Sequence, residues 1–207
     1  MTANNPFQRY DETDDAQFYV QPRFVNHIDE QAIRATTDLY HDYLPTGGNI
    51  LDLMSSWVSH LPANIHYGRV AGLGMNETEL RTNPKLTDYI VQNLNQNPEL
   101  PYPDNTFDGG MVTVSVQYLT NPVAVYCELA RVLRPGAPFL TVFSNRMFPT
   151  KAVAIWQNLD DRGHQQLVRS YYEQTGLFGQ IDILDRSPRG WSDPLYAVVG
   201  RVKKLTA

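Results

Sequence analysis

A chain of 207 residues suits one domain with a sizeable core, and a 42% apolar content fits a globular fold. Its net charge of −5 gives no basic footprint, which argues against nucleic acid as the main partner. No apolar run is long enough to span a bilayer, the N-terminus is unlike a signal or transit peptide, and the lone Cys127 cannot form an internal disulfide, so a cytoplasmic protein is expected.

Residues 1–16 are polar, with Asp11, Glu12, Asp14 and Asp15 close together, and read as a mobile N-terminal arm. Phe18, Tyr19, Arg23, Phe24, Val25 and His27 follow. This aromatic and charged cluster is either a cover over a pocket or a segment packed on the surface. Asp29 to Tyr43 predicts a helix, with Asp29 as cap and Ala32, Ala35, Leu39 and Tyr43 on one face. Residues 17–48 thus form an N-terminal cap and helix within a single domain, 17–207.

Asn49 to Leu53 is a short apolar strand, and Pro62 limits any helix after the turn that follows. Gly68 to Leu73 leads into a second strand, and Asn76 with Glu79 makes an N-x-x-E helix start. Asn83-Pro84 breaks that helix. Tyr89 to Leu94 is a third strand and Met111 to Val116 a fourth, apolar enough to be buried on both faces. Asn121 caps a helix with Pro122 in its first position, Pro135-Gly136 stops it, and Phe139 to Val142 begins a fifth strand. Thr150 is expected to cap a short helix carrying Val153 and Trp156, and 161–175 a longer one ended by Gly176. Ile181 to Leu184 and Leu195 to Val202 complete seven strands. The sequence shows no repeats or linkers, and the expected architecture is a three-layer α/β domain.

The run LPYPDNTFD, the buried strand after it, and then YLTNPVAVYCELARVLRPG resemble the class I S-adenosylmethionine-dependent methyltransferases, in their type 11 small-molecule branch. The resemblance implies a Rossmann-like fold whose mostly parallel seven-stranded sheet has its last strand antiparallel. It also implies S-adenosyl-L-methionine as cofactor and a small-molecule substrate, with no nucleic-acid or membrane partner. It leaves the acceptor and the oligomeric state open.

In open α/β sheets, ligands bind beyond the carboxyl ends of the strands, where strand order reverses. By the resemblance, Asp52 aligns with the acid of a D-x-G-x-G-x-G turn, but the glycine positions hold Met54, Ser56 and Val58. Ser55, Ser56 and Ser59 add hydroxyl donors, and an N–H of the turn can still face a carboxylate. Gly74 takes the place of the ribose acid, with Met75, Asn76 and Glu77 beside it, so Gly74→Asp is expected to restore a ribose contact. Glu79 reads as a capping residue. Asn93 stands where the family usually has Asp, and with Leu94 it is assigned to adenine. Ser115, Gln117 and Tyr118 end strand four, where substrate and methyl group meet. Tyr118 acts as a base only with a lowered pKa. Asn145 and Arg146 follow strand five, and Arg146 is suited to a substrate carboxylate. Tyr19 and Arg23 are expected to reach the cofactor or substrate.

The five histidines form no i,i+4 pair and no H-x-H, so no metal site is expected. Serine hydrolase, nicotinamide reductase and P-loop motifs are absent. The competing reading is a methyltransferase-like domain that binds a ligand or partner without catalysis.

Overall fold

The computed structural model describes residues 5–204. Seven strands form one sheet: β1 (Asn49–Leu53), β2 (Arg69–Gly74), β3 (Asp88–Val91), β4 (Gly109–Thr113), β5 (Pro138–Phe143), β6 (Phe178–Asp185) and β7 (Tyr196–Val202). Their order is β3-β2-β1-β4-β5-β7-β6, and β7 runs antiparallel to both neighbours. The expected Rossmann-like methyltransferase topology is borne out.

Strands β1, β2, β4 and β5 are almost wholly buried because both faces of the sheet are covered. Ile50, Met111, Leu140 and Val199 point to a cluster under helix α2 (Glu30–Tyr43), which supplies Ala32, Leu39 and Tyr40. Leu51, Val112, Phe139 and Val198 point the other way, to helices α4 (Pro122–Val132) and α6 (Asp161–Thr175). Side-chain alternation along each strand thus builds two cores. Three of the expected caps are in place. Asp29 accepts from Gln31 and Ala32 N–H, Asn121 from Ala124 N–H, and Gly176 ends α6 in the left-handed region.

Residues 54–68, between the parallel strands β1 and β2, contain no helix. Leu61 and Tyr67 of this irregular crossing fill the space beside α2 instead. Two expected strands end early. β3 stops at Val91, and β4 stops at Thr113 because Val114 turns the chain at φ 51°. Thr150 does not cap a helix: helix α5 (Ala154–Gln157) follows Val153, and the Thr150 carbonyl accepts from Asp11 N–H at 2.8 Å.

The segment read as an arm over 1–16 is tied down through its described part, 5–16. Arg9 bridges Val153, and the Pro6 and Gln8 carbonyls accept from Ile155 and Ala154 at 2.8 Å. Residues 1–4 lie outside the described residues. A one-turn helix, α1 (Asp15–Phe18), follows. Lys151 is 0% exposed, and its Nζ donates to the Thr13 carbonyl at 2.7 Å and lies 3.2 Å from Asp15 Oδ1.

Candidate functional site

Strand order reverses at β1, whose successor β2 lies on one side and β4 on the other. A cleft of about 580 Å³ opens there, at the carboxyl ends of β1 to β4, beneath residues 19–29. That volume is in the range of small-molecule sites. Of the expected site residues, Gln117 and Asn145 do not line the cleft, nor do Ser59 and Glu77; the others do.

The turn after β1 is unusual. Met54, at the first glycine position, keeps a left-handed φ of 53°. Ser55 N–H donates to the Leu73 carbonyl at 2.8 Å, drawing the turn onto β2. A Cβ at Gly74 would then lie 2.2 Å from the Ser55 carbonyl oxygen. Gly74 is therefore a close-approach glycine, and no aspartate fits there, contrary to the expectation for Gly74→Asp. Asp52 is buried beneath the turn, and its Oδ2 accepts from Ser55 Oγ at 2.7 Å and Ser59 Oγ at 2.6 Å. Burial pushes its carboxyl up to about 6, opposed by the Ser59 and Ser55 hydroxyls. Since no helix follows the turn, no helix N-terminus faces the cleft there.

At the end of β2, Asn76 caps helix α3 (Glu77–Thr82), accepting from Glu79 N–H at 3.0 Å. Its Nδ2 donates to the Tyr19 carbonyl at 2.8 Å. The Glu79 carboxylate does not complete a capping box. It accepts from Ser56 Oγ at 2.5 Å and Arg23 N–H at 2.6 Å, joining the β1 turn to the roof of the cleft. The Arg23 guanidinium carbon lies 4.5 Å from the Phe18 ring centre, 5.4 Å from Phe148 and 5.6 Å from Tyr19. Its Nη2 donates to the Phe18 carbonyl at 2.8 Å, while Nη1 is buried and has no partner.

Beyond β3, Asn93 Oδ1 accepts from Asn95 N–H at 3.0 Å. Asn95 Nδ2 donates to Asp15 Oδ2 and the Tyr118 carbonyl, each at 3.0 Å, linking the N-terminal segment to the end of β4. Tyr118 stacks on Phe148, and its hydroxyl accepts from Phe148 N–H at 2.8 Å. Burial pushes its pKa up to about 12, so it is not a base. Gln117 is buried away from the cleft, with Nε2 donating to the Val114 and Arg146 carbonyls at 3.0 and 3.2 Å. It supports the loop and touches no ligand space. Asn145 is exposed outside the cleft. Arg146 Nε donates to Asp193 Oδ1 at 2.8 Å, and Asp193 exchanges backbone-to-carboxylate hydrogen bonds with Asp29.

Trp57 and His60 line the cleft and escaped the sequence reading, whereas His27 belongs to the cluster weighed there as a cover. Trp57 donates from Nε1 to the Val25 carbonyl at 3.2 Å and meets the Phe24 ring edge-on. His60 holds φ 53°, and burial, with His27 nearby, pushes its imidazole down to about 4. His27 packs edge-on against Phe148, and burial lowers its pKa too. The signal available for His60 was its place in the loop after β1. Met54, His60 and Val114, three non-glycine residues with positive φ, all line the cleft. Among the described residues, no group of three or more His, Cys, Asp or Glu is arranged to hold a metal ion, and no helix is long and apolar enough to cross a membrane.

Sheet order, the antiparallel β7 and the cleft at the reversal point define a Rossmann-like methyltransferase fold. Residues 55–141 match a family model described as a methyltransferase domain. Over 76 residues the chain is 38% identical to the methyltransferase phqN of Penicillium fellutanum, covering 34% of this chain and 23% of that one. Over 87 residues it is 29% identical to the demethylmenaquinone methyltransferase of Symbiobacterium thermophilum, covering 39% and 35%. The chain thus spans about a third or less of the curated relatives it matches. A SAM-dependent methyltransferase from Aquifex aeolicus superposes with TM-score 0.59 at 17% identity, over 83% of this chain and 91% of that one. The [4+2]-cyclase SpnF superposes with TM-score 0.60 at 16% identity, over 83% and 81%. These likenesses establish the fold; activity has to be argued from the site.

Proposed function

We propose that the protein is an S-adenosyl-L-methionine-dependent methyltransferase acting on a small molecule in the cytoplasm. The observation that carries this is a cleft of about 580 Å³ at the reversal point of a methyltransferase fold, with Arg23 among its lining residues and the buried Nη1 of that guanidinium without a partner. A carboxylate is the group it lacks. The cofactor's methionine carboxylate would be held there, beside Ser55 and Ser56. Arg23 then does the work that a glycine turn and its following helix cannot do here. Asn76 and Glu79 flank the ribose position. Asn93, Leu94 and Met75 line the adenine end. When bound, the cofactor supplies an electrophilic methyl group on a sulfonium. The chain's own residues position the two reactants and exclude water: Val25, Trp57 and Phe148 wall the cleft, and the Arg23–Glu79 link holds the roof down.

Calorimetric titration with S-adenosylhomocysteine tests the reading. One-to-one binding in the micromolar range is expected. No binding at millimolar ligand would overturn it.

A further inference from the structure

We infer that the methyl acceptor is an uncharged, largely apolar aromatic alcohol, and that His60 receives the proton of its hydroxyl. The inference rests on the cofactor reading above and concerns the other half of the same cleft.

The charged side chains that line the cleft are already engaged with one another. Asp52 holds the Ser55 and Ser59 hydroxyls, and Glu79 holds Ser56 and the Arg23 N–H. Asp15 is paired with Arg9 at 2.6 Å and accepts from Asn95. Asp29 and Asp193 exchange hydrogen bonds at one wall, and Arg146, bonded to Asp193 through Nε alone, lies largely exposed at the rim. Arg23 faces the cofactor carboxylate. An ionic acceptor entering the enclosed part of the cleft, away from the exposed Arg146, would find the buried counter-charges committed elsewhere, and would lose its hydration without replacement.

Tyr19 Oη, the Asn26 amide, Asn93 Nδ2 and two imidazoles line the cleft with hydrogen-bonding capacity still open among the described residues, and of these only imidazole is a base near neutral pH. Neither the His27 nor the His60 ring is hydrogen-bonded to another described residue, and both line the cleft. Burial holds both below the ordinary histidine range, with Glu79 opposing and Arg23 assisting at His27, and His27 assisting at His60. Both rings are therefore neutral near pH 7, each with one nitrogen free to accept. His60 is the more enclosed of the two and sits in a strained left-handed conformation, as site residues often do. The remaining wall is aromatic and apolar: Val25, Trp57, Met147 and Phe148. Val20, Phe24 and Val25 extend it to the surface, at 64%, 48% and 55% exposure. A flat apolar body fits that wall, and its O–H fits a neutral acceptor.

The step balances. The acceptor oxygen forms the new O–C bond, and the methyl C–S bond breaks with its electron pair left on sulfur. The hydroxyl proton passes to the His60 imidazole and on to water at the mouth. The hydroxyl becomes strongly acidic as the O–C bond forms, so a weak base suffices.

The test uses the full chain saturated with S-adenosylhomocysteine and three probes of one shape: 2-naphthol, 2-naphthoate and 2-naphthylmethylammonium. The naphthol should bind at least tenfold more tightly than either ion. His60→Asn, which tolerates the left-handed backbone, should remove that preference while leaving S-adenosylhomocysteine affinity unchanged. With S-adenosylmethionine, the wild type should form 2-methoxynaphthalene and the variant should form it at least a hundredfold more slowly. Either ion binding as tightly as the naphthol in the wild type overturns the acceptor class, and this comparison needs no variant. Equal turnover by wild type and variant, or naphthol bound without turnover, overturns the role of His60. Failure of S-adenosylhomocysteine to bind the wild type overturns the cofactor reading itself and is seen before any naphthalene is added.

Discussion

At the scale of single residues, the site has exchanged one close approach for another. The turn after β1 has side chains where the family has glycines, and it leans on Gly74, where the family has an acid. The packing makes Gly74→Ala costly. Its Cβ would lie 2.2 Å from the Ser55 carbonyl oxygen, a backbone atom that cannot rotate away. A loss of about 3 kcal/mol is expected in urea unfolding; wild-type stability would show that the turn does not rest there. Asp52 makes a second prediction. Its folded pKa, about 6, lies above the unfolded 3.8, so the folded state favours the proton. The stability this group contributes is full below pH 3.8 and is lost as pH rises through about 6. Asp52→Asn should therefore gain on the wild type across that window, by about 2–3 kcal/mol at the plateau. Parallel stability–pH curves for the two proteins would contradict a buried, protonatable Asp52. The positions of Asp52, Ser55, Asn76 and Asn93 were legible because each follows a strand that its apolar run reveals. Glu79 was misread as a cap because N-x-x-E does not say which way the glutamate turns. His60 was missed because a turn of this family is ordinarily followed by a helix, whereas here the chain stays irregular through 54–68.

At the scale of elements, the caps were legible and the N-terminal segment was not. Asp29, Asn121 and Gly176 act locally, on N–H and carbonyl groups within a few residues. The segment 5–18 is held by Lys151, more than 130 residues away, and no local pattern reports such a pairing. Its acidic run reads as solvated, yet Asp15 is buried against Arg9 and Lys151. The early end of β4 was illegible for a related reason, since nothing in a β-branched run announces the left-handed Val114. Lys151→Met tests the element. It leaves Asp15 with one cationic partner in a buried site, which should cost about 3 kcal/mol. Asp15→Asn in the same chain should recover part of this. Hydrogen exchange should quicken at the Asp11 amide, which donates to Thr150. Unchanged exchange there would show that the lysine does not hold the segment.

At the scale of the whole molecule, topology places everything else. The order β3-β2-β1-β4-β5-β7-β6 opens one cleft at the reversal point, and the strands and the central strand–helix–strand unit predicted it. The roof over that cleft comes from the N-terminal segment, and Arg23 hangs from it with an unpaired Nη1. In the proposed site Arg23 replaces the lost glycine turn as the anchor of the cofactor carboxylate. The most direct measurement compares S-adenosylhomocysteine with 5′-methylthioadenosine, which lacks the amino-acid end, on the wild type and Arg23→Gln. Loss of one hydrogen bond to a charged group weakens binding by roughly 1.5–3 kcal/mol, tenfold or more. That loss is expected for S-adenosylhomocysteine, with an unchanged affinity for 5′-methylthioadenosine. Equal weakening of both ligands, or of neither, would contradict it.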